Sequence, residues 1–351
     1  MQETDWDFHP SLGSDNHSGV HPKIIQAIID VNRSHSPAYG TDKVTEDCQK
    51  RFQQLFGENC NVFFVFNGTA ANVLSLSSLV HSWHGIICSD ISHLQLDECG
   101  APEKTIGCKL ITLPNNDGKI SAHQIRSAIV RRGDQHSIQP GAVSITQPTE
   151  VGTVYSLSEL EDIHKVCLEF SLKLHIDGAR LLLASHFLNC EFIDIVRACR
   201  PDAISFGGTK NGLLAGEAVL LFDELRAKEF KFLRKQSMQL PSKMRFISAQ
   251  FLALFNDNLY KKIAKKEHEL ALYFAERLKD FEAIKLAYPV ESNAVFPIFP
   301  KKWTKQLKKQ MFFYIWDEKK WIARWMMGFD SKKSDIDLFV SKIQLLHQQQ
   351  E

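Results

Sequence analysis

The feature that most constrains this chain is an alternation of short β-rich runs with segments of helical periodicity, which begins near Asn61. The runs that predict strands are NVFFVF, GIICSD, KLITL, AVSIT, KLHID and DAISF. The segments that predict helices include TAANVLSLSSLVHSW and SLSELEDIHKVCLEF, and the second of these carries a predicted capping box from Ser158 to Glu161. Strands that alternate with helices predict an α/β fold with a mostly parallel sheet, whose strand ends carry the functional residues.

A different pattern starts beyond Lys243. One long helical stretch, from FISAQF to AERLKDF, leads to the apolar runs NAVFPIF, MFFYIW and IARWMM and to a final helix near SDIDLFVSKIQLLHQ. This pattern predicts a small C-terminal α/β domain. Because 351 residues exceed the size at which a single core usually stops growing, we expect more than one unit. These are an N-terminal arm over residues 1–20, a large domain over 21–245 and a small domain over 246–351.

Charge and composition exclude several classes of protein. The 42 basic and 41 acidic side chains balance, so bulk charge favours neither nucleic acid nor an acidic membrane as a partner. The apolar runs are too short to span a bilayer, and the N-terminal MQETDWDFHP lacks the features of a signal peptide. The eight cysteines are scattered without metal-ligand spacing, which predicts reduced packing residues, no metal site and a cytoplasmic location.

Three signals at predicted strand ends point to chemistry, although each has a structural explanation. NGTAAN, at residues 67–72, lies between a strand and a helix, where free amides favour an anion, but such a turn favours Gly and Thr in any case. Asp177 and Arg180 in HIDGAR follow a buried strand, although Asp177 suits a helix cap equally well. Lys210 in SFGGTKNG lies among small residues after another strand. The alternative explanation is a lysine without chemical function whose side chain extends to solvent.

Together the three signals favour pyridoxal phosphate as a cofactor. An anion-binding turn suits its phosphate, a carboxylate keeps its ring nitrogen protonated, and an amine bonds its aldehyde. On this hypothesis Lys210 is the amine, and its covalent bond to the cofactor resolves the problem of a cation near a buried sheet. The glycines around Lys210 are expected to let the cofactor approach the backbone.

Longer motifs resemble the low-specificity L-threonine aldolases. The matching segments, in the family's order, are SDNHSG, AYGTD, FNGTAAN, HLQLDECGAPE, TEVGTV, HIDGAR, SFGGTKNG and SKMRF. The resemblance implies pyridoxal-phosphate fold type I, as in aspartate aminotransferase, and a homodimer or homotetramer with shared active sites. It also implies a carbon–carbon lyase that cleaves L-threonine or L-allo-threonine to glycine and acetaldehyde.

The resemblance assigns the cofactor-binding residues. It places the phosphate at Gly68 and Thr69, the ring nitrogen at Asp177, the phenolic oxygen at Arg180 and the aldehyde at Lys210. Thr209 joins this set beside the lysine. Arg245, in SKMRF, is expected to reach the cofactor phosphate of a partner subunit; otherwise it is a surface residue at the start of a helix.

The resemblance also assigns substrate-binding and proton-transferring residues. Ser14, Tyr39 and Arg324 are expected to bind the substrate, with the Arg324 fork on its carboxylate. His93 is expected to stack on the cofactor and to serve as the base for the β-hydroxyl, oriented by Asp97 if the segment is helical. A stacking role alone remains an alternative for His93, and Glu150, which replaces a second histidine of many relatives, can share the proton transfer.

Three other functions remain open at this point. A lyase of the same fold could act on another β-hydroxy amino acid, such as phenylserine, or eliminate a β-substituent. A relative without turnover could bind the cofactor alone. A nicotinamide-dependent enzyme is disfavoured because the chain has no GxGxxG turn.

Overall fold

The structure is a computed structural model that describes residues 9–349. Within these residues the helices are α1 (Pro22–Val31), α2 (Lys43–Phe56), α3 (Gly68–Ser77), α4 (His93–Leu96), α5 (Ala101–Ile106), α6 (Ala122–Ala128), α7 (Leu157–Glu169), α8 (Leu181–Phe187), α9 (Phe192–Cys199), α10 (Glu224–Gln236), α11 (Arg245–Phe255), α12 (Leu259–Leu278), α13 (Thr304–Gln310) and α14 (Lys333–Gln348). The strands are β1 (Asn61–Val65), β2 (His84–Ser89), β3 (Lys109–Leu113), β4 (Gln139–Thr146), β5 (Lys173–Gly178), β6 (Ala203–Phe206), β7 (Glu217–Leu221), β8 (Lys285–Leu286), β9 (Ala294–Val295), β10 (Pro297–Ile298), β11 (Tyr314–Asp317) and β12 (Ile322–Met326).

The larger sheet has seven strands in the order β1-β7-β6-β5-β4-β2-β3. Strands β2 to β6 pair in parallel, which confirms the predicted mostly parallel α/β sheet. β7 runs antiparallel to both β1 and β6, because a loop rather than a crossover helix joins it to β6. That loop contains Lys210, so the lysine lies at the carboxyl end of β6, next to the carboxyl end of β5.

Helices cover both faces of this sheet and bury two apolar layers. On one face, α2 and α11 contribute aromatic rings that pack around Phe52, whose centroid lies 4.9 Å from that of Phe255 and 5.6 Å from that of Phe206. On the other face, α3 and α10 pack over β1, β2 and β7. Burial on both faces explains why the strands are apolar runs without polar alternation.

A second sheet of five antiparallel strands forms the C-terminal part, in the order β11-β12-β10-β8 with β9 paired to β12. Its core surrounds Trp325, which stacks on Phe274 of α12 at 5.0 Å and meets Phe339 of α14 edge-on at 5.0 Å. The buried residues of α11, and those of α12 as far as Ala264, belong to the core beside the larger sheet. These helices thus connect the two cores, and the domain boundary expected between residues 245 and 246 stays a prediction.

Two local predictions were wrong. The capping box of α7 is formed by Ser156 and Glu159 rather than by Ser158 and Glu161. The long helical stretch after Lys243 is divided into α11 and α12 by Asn256–Asn258. Asp257 and Asn258 adopt left-handed backbone conformations there, which Asp and Asn tolerate better than most residues.

All eight cysteines are free, and Cys99 is the one that is exposed. Within residues 9–349, no helix combines the length and the apolar character needed to cross a membrane.

Candidate active site

Lys210 lies in a short 3₁₀ turn, Thr209–Asn211, directly after β6. The two glycines before it are required by the chain's own packing. A Cβ on Gly207 would lie 2.0 Å from the carbonyl oxygen of Ala179, and a Cβ on Gly208 would lie 2.2 Å from that of Gly216. These contacts, rather than access for a cofactor alone, explain the small residues of the motif.

The surroundings of Lys210 change the protonation equilibrium of its amine. The charge of Arg180 and burial lower the pKa of Lys210, although Asp15, Asp177 and Glu217 act in the opposite direction. A lysine with a lowered pKa has a larger fraction of the nucleophilic neutral form. The shift in the pKa of Lys210 is in the direction that a nucleophilic lysine requires.

Asp177 lies at the carboxyl end of β5 and is buried. Its carboxylate accepts hydrogen bonds from Asn72 Nδ2 at 2.8 Å and from the Ala179 amide at 3.0 Å. Burial alone would raise the pKa of Asp177, but the charges of Lys210 and His93 and these two hydrogen bonds together lower it. Asp177 is thus an anion that points into the site, and it does not cap α8, whose N-terminal cap is Arg180.

The N-terminus of α3 faces the same cavity. Asn67 caps the helix by accepting a hydrogen bond from the Ala70 amide at 2.9 Å, and the first turn presents Gly68 and Thr69. Apart from the adjacent residues and the backbone of α3 itself, no heavy atom of residues 9–349 lies within 4 Å of the position that a Cβ on Gly68 would occupy, so this end of the helix has open space beside it. Helix N-termini with unpaired amides bind anions.

A cavity of about 360 Å³ joins these groups. Its lining residues include Lys210, Asp177, Gly68, Thr69 and Thr209. An amine, a buried anion and an anion-binding helix end are the groups that the aldehyde, ring nitrogen and phosphate of pyridoxal phosphate need. The residues present therefore fit this cofactor.

His93 begins α4 and lines the cavity. Its Nδ1 lies 2.9 Å from Oε1 of Glu98, and this hydrogen bond is the largest contribution to a raised pKa of His93. The expectation that Asp97 orients the imidazole was wrong. α4 ends at Leu96, and beyond this end Asp97 is exposed while the side chain of Glu98 is buried against the ring.

Glu150 lies beside His93 on the loop after β4. Its Oε1 accepts hydrogen bonds from Thr146 Oγ1 at 2.7 Å and from the His93 amide at 2.9 Å, whereas its buried Oε2 has no partner among the described residues. Burial raises the pKa of Glu150 to about 6. The site thus contains two groups, Glu150 and His93, that can change protonation near neutral pH.

Arg180 forms a buried ion pair with Asp15. The Nε–Oδ2 distance is 2.5 Å and the Nη2–Oδ1 distance is 2.9 Å, so the contact is bidentate. It joins the N-terminal segment to the end of β5, 165 residues away along the chain. Arg180 also lines a second, larger cavity that adjoins the first. The expected contact between its guanidinium and the cofactor stays a prediction.

The larger cavity, of about 1100 Å³, opens beside Lys210 and His93. Ser14 and Arg324 line it, as expected for the substrate side of the site. Arg324 is held by a hydrogen bond from its Nη2 to the Gly13 carbonyl at 3.2 Å and by the rings of Tyr314 and Trp316, whereas its buried Nε has no partner among residues 9–349. A donor without a partner leaves capacity for a carboxylate.

Two predicted site residues lie outside both cavities. Tyr39 is 53% exposed, and its ring contacts Lys235. Arg245 begins α11 and donates from Nε to the Val31 carbonyl at 3.3 Å. Neither residue reaches the site of its own chain.

The site contains four residues that sequence reasoning did not single out: Asp15, Asn72, Glu98 and Glu217. The first three lie inside motifs that were recognised, but Asp15 and Asn72 have partners that are distant in sequence, Arg180 and Asp177. Glu98 has a near partner, His93, but lies outside the helical spacing that was used to choose Asp97. Glu217, at the start of β7, accepts a hydrogen bond from the Gly208 amide at 2.5 Å and so holds the loop that carries Lys210. An acidic residue at the start of an otherwise apolar strand was the signal that could have revealed it.

Comparisons with known proteins agree with this geometry. The family model described as "Beta-eliminating lyase" matches residues 11–300. The low specificity L-threonine aldolase of Pseudomonas aeruginosa is 42% identical over 291 residues, which cover 83% of this chain and 84% of that protein. The Candida albicans low-specificity L-threonine aldolase is 26% identical over 272 residues, which cover 74% of this chain and 68% of that protein.

A solved structure of threonine aldolase from Leishmania major superposes with a TM-score of 0.91 at 29% identity, covering 96% of this chain and 99% of that one. The fold type expected from the motifs is therefore confirmed, and so is the resemblance to threonine aldolases. The chain belongs to the β-eliminating lyase family, within which it is similar to the low-specificity L-threonine aldolases.

Proposed function

We propose that this protein cleaves L-threonine and L-allo-threonine to glycine and acetaldehyde with pyridoxal phosphate as its cofactor. The observation that carries the proposal is the convergence of Lys210, Asp177 and the α3 N-terminus on one cavity, which adjoins a larger cavity lined by Arg324. The names of the similar proteins from Pseudomonas aeruginosa and Leishmania major support the same reaction.

Residues of one chain would hold most of the cofactor. Lys210 would bond its aldehyde, Asp177 would pair with its ring nitrogen, and Gly68, Thr69 and Thr209 would bind its phosphate. When bound, pyridoxal phosphate supplies an electron sink for the electron pair released from the breaking Cα–Cβ bond. Asp177 maintains that sink, because an ionised carboxylate favours a protonated ring nitrogen.

Arg324 and Ser14 would orient the substrate. The guanidinium of Arg324 is already fixed by the Gly13 carbonyl and two aromatic rings, so binding a carboxylate costs little side-chain entropy. A substrate held only at its amine can still rotate about its N–Cα bond, and binding of its carboxylate by Arg324 stops that rotation. The position of Arg324 then decides which bond at Cα is aligned for cleavage.

His93 would accept the proton of the β-hydroxyl as acetaldehyde leaves. Its Nδ1 is engaged by Glu98, so Nε2 is the nitrogen available to the substrate. Glu150, which accepts a hydrogen bond from the His93 amide and lines the larger cavity, would share the proton transfer. Both groups must be deprotonated to act as bases.

The proposed reaction is tested by incubating purified protein and cofactor with L-threonine, L-allo-threonine and phenylserine and measuring glycine and the aldehyde. We expect equimolar glycine and acetaldehyde from the first two substrates. Release of ammonia without glycine would indicate β-elimination instead. No product from any substrate, despite bound cofactor, would indicate a relative without turnover.

We expect the change His93→Phe to lower kcat by roughly 10²- to 10⁴-fold, because it removes a general base and retains an aromatic face. The acid limb of the wild-type pH–rate profile should rise as pH increases through the pKa values of both bases, of which that of Glu150 is about 6. In the Glu150→Gln variant the acid limb of the pH–rate profile should persist, and its midpoint should be set by the titration of His93 alone. A negligible loss in His93→Phe would leave stacking as its role and would move the base to Glu150.

The proposed assembly is a homodimer or homotetramer with shared sites. Arg245 lies away from its own site, and the segments around it carry exposed apolar side chains, Ile29 and Tyr39, that association would bury. Arg245 would then reach the cofactor phosphate of the partner subunit. The free, scattered cysteines favour the cytoplasm as the location of this assembly.

Subunit mixing tests the shared site. Lys210→Ala and Arg245→Ala proteins should each be inactive, but after subunit exchange about a quarter of wild-type activity should return, because half of the dimers are mixed and each mixed dimer has one intact site. The matched control mixes Lys210→Ala with Asp177→Asn, which damage the same chain's half of the site and should restore nothing. If the first mixture also restores nothing after verified exchange, Arg245 serves its own chain.

A further inference from the structure

One side-chain amide lies between two buried carboxylates of the active site. Nδ2 of Asn72 is 2.8 Å from Oδ2 of Asp177 and 2.8 Å from Oε1 of Glu98. The orientation of the amide follows from chemistry, because the reverse orientation would place its oxygen against two anionic oxygens. The two hydrogens of the NH₂ group therefore serve one carboxylate each.

Oε1 of Glu98 also faces Nδ1 of His93 at 2.9 Å. Asp177, Asn72, Glu98 and His93 thus form one continuous hydrogen-bonded chain. The side chain of Glu98 has no exposed surface, and its Oε2 has no partner within residues 9–349. A buried carboxylate with so few donors is costly unless a cation or a strong donor faces it.

We propose that Glu98, held in place by Asn72, is the positioning residue that keeps the proton of neutral His93 on Nδ1 and so presents an unprotonated Nε2 to the β-hydroxyl of the substrate. This inference rests on the proposed function of His93 as the base. It extends the logic by which a buried carboxylate sets the tautomer of a catalytic histidine.

The groups that face His93 support this assignment to Glu98. The hydrogen bond to Glu98 makes the largest contribution to the raised pKa of His93, and Asp177 adds to the rise, while burial and the charge of Lys210 oppose it. Glu150 contacts the His93 backbone amide rather than the ring. Asp97, the neighbouring carboxylate in sequence, is exposed to solvent.

The direct test is nitrogen NMR of the holoenzyme labelled with ¹⁵N-histidine. His93→Phe identifies the His93 signals among the 14 histidines of the chain. In the wild type, the neutral ring should carry its proton on Nδ1. In Glu98→Gln the titration midpoint of His93 should move to lower pH, because the charge is lost while the shape is kept.

Asp97→Asn is the matched control, since it removes the adjacent charge without touching the ring. It should leave the tautomer and the midpoint of His93 unchanged. A neutral ring protonated on Nε2 in the wild type would overturn the proposal. A midpoint that moves in Asp97→Asn and stays constant in Glu98→Gln would also overturn it.

The part played by Asn72 is tested by a double-mutant cycle. Asn72→Leu removes both donors while keeping the number and branching of the side-chain heavy atoms, and it should lower kcat about tenfold or more, with KM changed less. If Asn72 acts through Glu98, the double variant Asn72→Leu/Glu98→Gln should cost little more than the worse single variant. Losses that simply multiply would assign the two residues independent roles and reject the coupling.

The NMR and activity measurements test the role of Glu98 and the proposed reaction separately. The NMR measurement is made without substrate, so it decides the tautomer even if L-threonine is not cleaved. Conversely, wild-type protein that cleaves L-threonine while His93 is protonated on Nε2 would retain the proposed function and reject the role of Glu98.

Discussion

Lys210→Ala is expected to reduce the cleavage of L-threonine by roughly 10⁴-fold or more, because Lys210 is the one lysine among residues 9–349 that lines the cavity beside Asp177 and the α3 N-terminus. The surroundings of Lys210 lower its pKa and so favour the nucleophilic form. Borohydride reduction of the wild-type holoenzyme makes the bond between the cofactor and its lysine permanent. Peptide mapping should then find the cofactor on Lys210.

Lys228→Ala is the matched control for this experiment. Lys228 pairs with Glu224 at 2.8 Å on the exposed surface of α10 and does not line the cavity. Its substitution should therefore change neither the labelling nor the rate. Labelling of any lysine other than Lys210 in the wild type would reject the assignment. A fully active and folded Lys210→Ala protein would reject it as well.

Asp177→Asn is expected to lower kcat by roughly 10²-fold or more while the protein stays folded and binds cofactor. The amide has nearly the same shape, but it cannot stabilise a protonated ring nitrogen as an anion does. The lowered pKa of Asp177 means that the carboxylate is ionised throughout the neutral pH range, so the loss should be present at every pH at which the wild type is active. Steady-state rates and the absorbance of bound cofactor measure the two effects separately.

Asp202→Asn provides the comparison for Asp177. Asp202 lies at the amino ends of β5 and β6, opposite the ends that carry Asp177 and Lys210, and it accepts hydrogen bonds from Lys173 Nζ at 2.8 Å and from the Leu174 amide at 2.9 Å. Its substitution should lower stability to urea and leave kcat nearly unchanged. Near-normal rates in Asp177→Asn would make Asp177 a structural residue and would refute the electron-sink argument.

Local pattern determined the strands, the helices and the residues at strand ends. The apolar runs at DAISF and KLHID predicted β6 and β5, and parallel pairing then places the residues after them at one edge of the sheet. This is why Lys210 and Asp177 could be brought together from sequence, and why the cofactor could be predicted before any comparison. The resemblance to threonine aldolases added the reaction.

The same local reasoning was wrong where the backbone departs from a regular period. Asp97 was chosen to orient His93 because helical residues four apart lie on one face. The helix ends at Leu96, and the carboxylate that contacts the His93 ring is that of Glu98, which lies beyond the helical segment and is buried. Past the end of a helix, helical spacing no longer decides which of two neighbouring carboxylates is buried.

The sequence by itself determined which side chains follow each buried strand. A buried strand needs a run of apolar residues, and such a run can be recognised from neighbouring residues alone. Only the tertiary structure decided the partners: Asp15 for Arg180, Asn72 for both Asp177 and Glu98, and Glu217 for the loop of Lys210. Residues so far apart in sequence meet because the sheet order and the path of the N-terminal segment bring them together. Once buried, a charged or polar group needs a partner, and the energy of that pairing depends on position in space rather than on neighbours in sequence.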